Sequence, residues 1–197
     1  MKNCIKGVSI LLIIALFFGC SKDDSSSTPA CTPIACLNGG VSTPDCGCDC
    51  PQGYTGSNCG TQVTPLQILI TKIKVTAFPS TTTNGNLWDQ GAIGNFVRPD
   101  IFPYLTIGST ALLQGTAVQD AVNTSVYTWT PTTPVVLTQS QINSQFSLSL
   151  YDEDSLTNQF MGGWDFYIYN SAGGFPTTKT VGAAGPVTFE LTLSYVW

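Results

Sequence analysis

A run of three acidic residues is the part of the sequence best suited to chemistry. Residues 151–158 read YDEDSLTN, so Asp152, Glu153 and Asp154 are consecutive in a chain in which only 10% of the residues are charged. Carboxylate oxygens are preferred ligands of calcium, which takes roughly 6 to 8 oxygens. Without a cation, neighbouring carboxylates repel one another and their pKa values rise. The run therefore favours a bound cation, although acids at a strand end are also commonly only solvated surface residues.

The residues before the acids predict the element that positions them. Residues 146–151 alternate between apolar and polar, with the period of two expected of a strand that has one buried face. The acids follow directly, on a loop at one end of a sheet. This loop is not an EF-hand, because Leu156 and Thr157 stand where oxygen ligands would alternate and no closing glutamate follows.

The same alternation continues towards the C-terminus and predicts the fold class. Residues 187–197 are a clear period-two strand, and further strands are predicted at 68–78, 102–107, 126–130 and 164–169. Gly, Pro, Asn and Ser separate these segments, and none has a convincing helical stripe. We therefore predict a mainly β chain in which residues 65–197 form an antiparallel β-sandwich.

Composition excludes several classes of function. The chain has 197 residues and no histidine, which removes histidine metal sites and Ser-His or Cys-His nucleophile pairs. The net charge of −5 argues against nucleic acid, which requires a basic face. The sequence also has no P-loop and no nucleotide-binding glycine pattern. We therefore expect a binding protein rather than an enzyme.

The N-terminus has the pattern of an export signal. It reads MKNCIKGVSILLIIALFFGC, a basic start followed by an apolar segment at 10–18 that is too short for a comfortable membrane span. The end of this segment resembles a bacterial lipoprotein lipobox. The resemblance implies a signal peptide at 1–19 and a lipidated Cys20 that anchors the chain to a membrane. An ordinary secretory signal with an incidental cysteine is the alternative.

Residues 20–30 then form a short polar tether that begins with Ser21-Lys22-Asp23-Asp24. A lysine followed by two acids just after the lipidated cysteine resembles the surface-export tag of Bacteroidota lipoproteins. This resemblance implies a lipid-anchored location on the outer face of the outer membrane. A plain tether without an export signal is the alternative.

Six cysteines are concentrated within residues 31–59, which predicts a disulfide-rich module. An even number, tight spacing and an export signal together favour three disulfides, and a zinc cluster is disfavoured because it needs reduced thiolates. Spacing alone does not choose among the 15 possible pairings of six cysteines. The cysteines are Cys31, Cys36, Cys46, Cys48, Cys50 and Cys59.

Two stretches of this module, beginning at Cys36 (CLNGG) and at Cys50 (CPQGYTGSNC), resemble the halves of an EGF-like module. The resemblance implies the pairs Cys31–Cys46, Cys36–Cys48 and Cys50–Cys59. One departure from the family is the insertion of residues 41–45 before Cys46. The residues before Cys31 lack the acids of calcium-binding EGF modules, so we expect no calcium here and a role as a stiff spacer or docking surface.

The large domain resembles a C2 domain, an eight-stranded sandwich whose end loops hold calcium. Six segments match in order: residues 73–78, Trp88-Asp89, 99–102, 126–129, 148–154 and 160–163. The resemblance implies four calcium ligands: Asp89, Asp100, Asp152 and Asp154. The family often has a further acid near Asn158 or Gln159, and its absence should weaken the affinity for calcium.

Together these features predict a lipid-anchored surface protein for binding or adhesion, with an EGF-like spacer that presents a C2-like, calcium-dependent interaction domain to a protein or glycan. A carbohydrate-binding protein is the alternative, with Trp88, Trp129 and Trp164 as stacking faces. Exposed, coplanar tryptophans would favour carbohydrate, and buried tryptophans with clustered acids would favour calcium-dependent interaction. A purely structural surface protein is a third possibility.

Overall fold

The computed structural model describes residues 31, 32, 34–89 and 98–197. The predicted signal peptide, Cys20 and the tether at 20–30 lie outside these residues. All strands belong to the compact unit Pro33–Trp197. No helix in the described residues has the length and apolar character needed to cross a membrane.

The described chain is built from β-strands. In chain order they are β1 (Val41–Ser42), β2 (Cys48–Asp49), β3 (Tyr54–Thr55), β4 (Thr61–Gln62), β5 (Gln67–Ala77), β6 (Ile101–Ile107), β7 (Thr110–Gln114), β8 (Tyr127–Trp129), β9 (Val135–Thr138), β10 (Gln145–Asp152), β11 (Gln159–Tyr167), β12 (Thr178–Val181) and β13 (Thr188–Val196). Strands β1–β4 form two small hairpins in the cysteine-rich segment.

The remaining strands form two antiparallel sheets. One has the order β11-β10-β6-β7 and the other β12-β13-β5-β8, with β9 also paired to β5. Strand β8 pairs with residues 73–75 of β5 and β9 pairs with residues 67–70, so together they occupy one strand position. The prediction of a mainly β chain with an antiparallel sandwich is confirmed.

The core lies between the two sheets, where the period-two patterns meet. In β10, Phe146, Leu148 and Leu150 are fully buried, and Phe189 and Leu191 of β13 are buried opposite them in the same cluster. Because side chains alternate along a strand, the next inward-facing position of β10 after Leu150 is Asp152. The strand pattern thus carries a carboxylate to the edge of the apolar core.

The cysteine-rich segment is disulfide-bonded. The structure contains the bonds Cys36–Cys48 and Cys50–Cys59. Cys31 and Cys46 are disulfide-bonded as well. So small a segment cannot bury enough apolar surface to fold unaided, so these bonds supply the constraint that a core would otherwise provide.

This segment also packs against the sandwich. The rings of Tyr54 and Phe175 meet edge to face with centroids 5.3 Å apart, and Phe175 contacts Trp197 at 4.5 Å. Gln62 donates to the hydroxyl of Tyr169 at 3.0 Å and accepts from the backbone N–H of Gly174 at 2.9 Å. Aromatic packing and hydrogen bonds therefore fix the segment to the sandwich.

We expect Gly53→Ala to loosen this packing and to lower the free energy of unfolding by about 2 to 4 kcal/mol. Gly53 has φ +91°, and a Cβ there would lie against Phe175 and 2.6 Å from Trp197 Cη2. Urea unfolding measures the loss. Gly85→Ala is the matched control, because Gly85 has φ +80° but no atom within 4 Å of its Cβ position. If both variants lost the same free energy of unfolding, the contacts between a Cβ at position 53 and the rings of Phe175 and Trp197 would not contribute to the loss.

Candidate metal centre

Four aspartates predicted from the sequence lie at one end of the sandwich. Asp152 is the last residue of β10 and pairs with Ile101 at the start of β6, so Asp100 lies beside it. Asp154 follows β10 by two residues, and Asp89 lies in the connection between β5 and β6. Antiparallel pairing therefore brings the ends of β6 and β10 together, and the connection between β5 and β6 adds Asp89 to the same end.

Three of the four carboxylates form a compact cluster. One carboxylate oxygen each from Asp89, Asp152 and Asp154 lies within 4.8 Å of the others. Two oxygens bound to one calcium at the usual distance of roughly 2.3 to 2.6 Å can be separated by at most about 5 Å. The three oxygens therefore have the spacing that a single shared cation requires.

Asp100 lies beside Asp152 but does not belong to this three-carboxylate cluster. Its backbone N–H donates to Asp152 Oδ1 at 2.7 Å, and its carbonyl accepts from the N–H of Glu153 at 2.8 Å. Its own Oδ1 accepts from the N–H of Asp120 at 2.8 Å. Asp100 thus orients the carboxylate of Asp152 and adds negative charge beside the cluster.

Asp152 is the most constrained carboxylate of the site. It is 0% exposed, and its Oδ2 is buried without a hydrogen-bond partner in the described chain. Burial raises the pKa of Asp152 to about 7; the hydrogen bond from Asp100 opposes the rise, while the charges of Asp89, Asp154 and Asp100 add to it. A buried carboxylate oxygen without a donor is costly unless a cation or a proton satisfies it.

Asp89 is in a similar situation. Its Oδ2 is also buried and unpartnered within the described residues. Burial raises the pKa of Asp89, and the negative charges of Asp100, Asp154 and Asp120 raise it further. Two buried oxygens that lack donors and belong to the same cluster are the arrangement expected of a cation site.

Gln159 holds the third carboxylate in place. Its Nε2 donates to Asp154 Oδ2 at 2.9 Å and to the carbonyl of Trp88 at 3.3 Å. Asn158 Oδ1 accepts from the N–H of Asp154 at 3.3 Å. Asn158 and Gln159 therefore orient Asp154 and close its loop. In the C2 resemblance, a further acid would stand at one of these two positions.

Asp120 is a residue of this region that the sequence analysis missed. It lies between β7 and β8 in the left-handed region, with φ +54°. Its charge acts on Asp89, and its N–H donates to Asp100. In the sequence it is a single acid in a loop, and no periodicity or spacing distinguishes it. The signal that could have found it is topological: the connection between β7 and β8 has to pass the end of the sandwich where Asp100 lies.

The tryptophans do not form an exposed stacking face. Trp88 and Trp129 are 6% and 8% exposed, and their Nε1 atoms donate to the carbonyls of Pro79 and Thr116. Trp164 is 37% exposed, and its Nε1 donates to the carbonyl of Val187. Two of these three tryptophans are therefore buried, and neither of the two can stack on a carbohydrate.

Comparisons with known proteins give similarities of fold only. No protein-family model and no curated protein matches the chain. A structure described as a C2 domain is 15% identical, with a TM-score of 0.43, and the match covers 66% of this chain and 98% of that one. Human GIVD cytosolic phospholipase A2 is 15% identical, with a TM-score of 0.41, over 68% of this chain and 18% of that one.

A calcium-bound pair of C2 domains from extended synaptotagmin 2 is 14% identical, with a TM-score of 0.37, over 66% of this chain and 46% of that one. The chain thus spans less than half the length of this structure and of the phospholipase. Identities and scores at this level say nothing about the ligands of this chain.

Proposed function

We propose that the sandwich is a calcium-dependent interaction domain whose ion is held by Asp89, Asp152 and Asp154. The observation that supports this most strongly is the fully buried Asp152, whose unpartnered Oδ2 belongs to a three-carboxylate cluster. The remaining ligands would be backbone carbonyls and water, since calcium accepts both. Bound calcium would cancel the repulsion among the carboxylates and fix the loops that carry them.

The donor set favours calcium over the other common metals. All three side chains of the cluster offer carboxylate oxygens. Zinc prefers thiolates and imidazoles in structural sites, and magnesium retains several waters and requires near-octahedral geometry. A group of carboxylates from a strand end and two loops is better matched to the variable coordination of calcium.

The wider role follows from the C2-like and EGF-like resemblances and the export signal. We propose a non-enzymatic binding protein, lipid-anchored through Cys20 at the outer membrane and exposed at the cell surface. In this arrangement the disulfide-rich segment separates the sandwich from the tether. Its packing through Tyr54 and Gln62 supports a spacer that holds the sandwich in a fixed orientation.

Calcium should stabilise the folded protein against heat. For the secreted chain, made with Cys20→Ser and with residues 1–19 replaced by an ordinary cleavable secretion signal so that it stays in solution, we expect the melting temperature to rise with calcium concentration. At 100 to 1,000 times the Kd, the gain is about 3 to 4 kcal/mol. Differential scanning fluorimetry in calcium and in chelator measures it.

Asp154→Asn and Asp89→Asn should remove most of this gain. Glu153→Gln is the matched control, because it makes the same change in charge one residue from two ligands, at an exposed position outside the cluster. A melting temperature that does not respond to millimolar calcium would contradict the proposal.

A further inference from the structure

A groove adjoins the acidic cluster. It has a volume of about 780 Å³, within the range of ligand-binding sites. One wall is the turn at residues 79–86, and the other is the start of β11, from Gln159 to Gly162. Trp88 also lines the groove, directly before Asp89 in the chain.

The polar part of the groove's lining is uncharged. Its polar side chains are hydroxyls and amides, and none of the described residues that line it is charged. The side-chain amides of Asn84 and Asn86 make no hydrogen bond within the described residues and are exposed. The groove therefore offers donors and acceptors to a ligand without favouring either sign of charge.

Phe160 gives the groove an apolar face. It is 57% exposed, and Tyr151 contacts it edge to face at 5.7 Å, which fixes the ring. An exposed aromatic residue in the same groove as amides that lack a partner among the described residues suits a ligand with both apolar and polar surfaces.

The turn that forms the first wall is already ordered. The N–H of Thr82 donates to the carbonyl of Asn86 at 2.9 Å, and the N–H of Asn86 donates to Thr82 Oγ1 at 3.2 Å. The N–H of Gly85 donates to the carbonyl of Thr82 at 2.9 Å. A wall fixed before binding loses little conformational entropy when a ligand arrives.

Gln159 connects the groove to the acidic cluster. It lines the groove while its Nε2 donates both to Asp154 and to the carbonyl of Trp88. Asp154 and the residue after Trp88 are both proposed calcium ligands. Fixing those ligands would also fix two parts of the groove.

We propose that this groove binds an uncharged carbohydrate chain, with a sugar ring on Phe160 and sugar hydroxyls on the amides of Asn84 and Asn86. A sugar has an apolar C–H face and a rim of neutral donors and acceptors, which matches the lining. An anionic lipid headgroup would require cationic side chains in the groove, and none of the described lining residues supplies one. Fixing of the groove by bound calcium rests on the proposed function, whereas the assignment of the groove to carbohydrate does not.

Titration calorimetry of the secreted chain with calcium tests the inference. The probes are linear neutral oligosaccharides of glucose, mannose, galactose and xylose, and vesicles of phosphatidylserine and phosphatidylcholine. We expect at least one oligosaccharide to bind and Phe160→Ala to weaken its Kd by about tenfold or more. Asn86→Ala should weaken binding as well. Leu156→Ala is the matched control, because Leu156 is 96% exposed on the preceding loop and does not line the groove.

The thermal response to calcium is measured on every variant, which separates the two proposals. An intact calcium response without oligosaccharide binding would overturn the groove assignment and leave the proposed function standing. Equal oligosaccharide binding in calcium and in chelator would support the groove assignment and count against calcium dependence. Binding to vesicles through Phe160, with no oligosaccharide bound, would overturn the inference in favour of a lipid.

Discussion

Asp152→Asn is expected to make the calcium-free protein more stable at neutral pH and to remove its response to calcium. The carboxylate is fully buried, and its Oδ2 has no donor in the described chain. An asparagine Oδ1 can still accept from the N–H of Asp100, and its Nδ2 can donate to the neighbouring carboxylates. Each unit of pKa shift corresponds to about 1.4 kcal/mol, so the stability should rise by roughly 2 to 4 kcal/mol.

Urea unfolding in chelator, and then in calcium, measures both effects on the same variant. Glu153→Gln removes one negative charge next to Asp152 but outside the cluster, so it should change neither quantity by more than about 0.5 kcal/mol. An Asp152→Asn protein that is less stable than the parent in chelator would show that the buried carboxylate is already satisfied. The explanation for its raised pKa would then be wrong.

The opposite signs of these effects explain why the acids are kept together. A buried carboxylate among other carboxylates destabilises the free protein, since its neighbours repel it and its burial removes water. Replacing it would be favourable if stability alone mattered. Residues that reduce stability in this way are typical of binding sites, where the ligand supplies the missing interaction.

The strands with strong alternation could be predicted from the sequence. The predicted strands at 146–150 and 187–197 lie largely within β10 and β13, and the segment at 68–78 lies largely within the single strand β5. Within the sandwich, the strands that were missed are β7, β9 and β12, which have only four or five residues each. So few residues give too little period-two pattern, and pairing with neighbouring strands decides their structure.

The aspartates of the site could be named from the sequence, but their roles could not. The sequence analysis placed Asp152 on the loop after the strand, whereas it is the buried last residue of β10. Continuing the alternation one step beyond Leu150 would have placed it on the inward face. The role of Asp100 depends on the register between β10 and β6, which sets Asp152 opposite Ile101. Register depends on contacts between residues far apart in the chain. The period-two pattern of one strand therefore does not show which residue of another strand lies opposite.

The groove beside the site was not predictable for the same reason. Its walls come from a turn near residue 82 and from β11, which are distant in the chain. The sequence drew attention to tryptophan as the residue for stacking, but Trp88 and Trp129 donate their N–H groups to backbone carbonyls and are buried. The exposed aromatic residue in the groove is Phe160. Its exposure depends on packing between distant segments, which no local pattern encodes.

The stability of the calcium-free protein is expected to fall as the pH rises from about 5 to about 8. The pKa of Asp152 is raised from 3.8 to about 7 in the folded state, so between these values the folded protein binds more protons than the unfolded chain. The stability from this proton is fully present below the unfolded pKa and is lost as the pH passes through 7. For one group the loss is about 2 to 3 kcal/mol, and the pKa of Asp89 is shifted in the same direction.

Saturating calcium should remove this trend, because the calcium-bound folded protein holds no proton at these carboxylates and the unfolded chain holds almost none above about pH 5. Melting curves in metal-free buffer and in calcium, recorded at several pH values, show how the melting temperature changes with pH in each condition. Asp152→Asn should flatten the metal-free curve and leave only the contribution of Asp89. A metal-free protein whose melting temperature rises between pH 5 and pH 8 would show that Asp152 is ionised throughout, and that the cluster tolerates its charge without an ion.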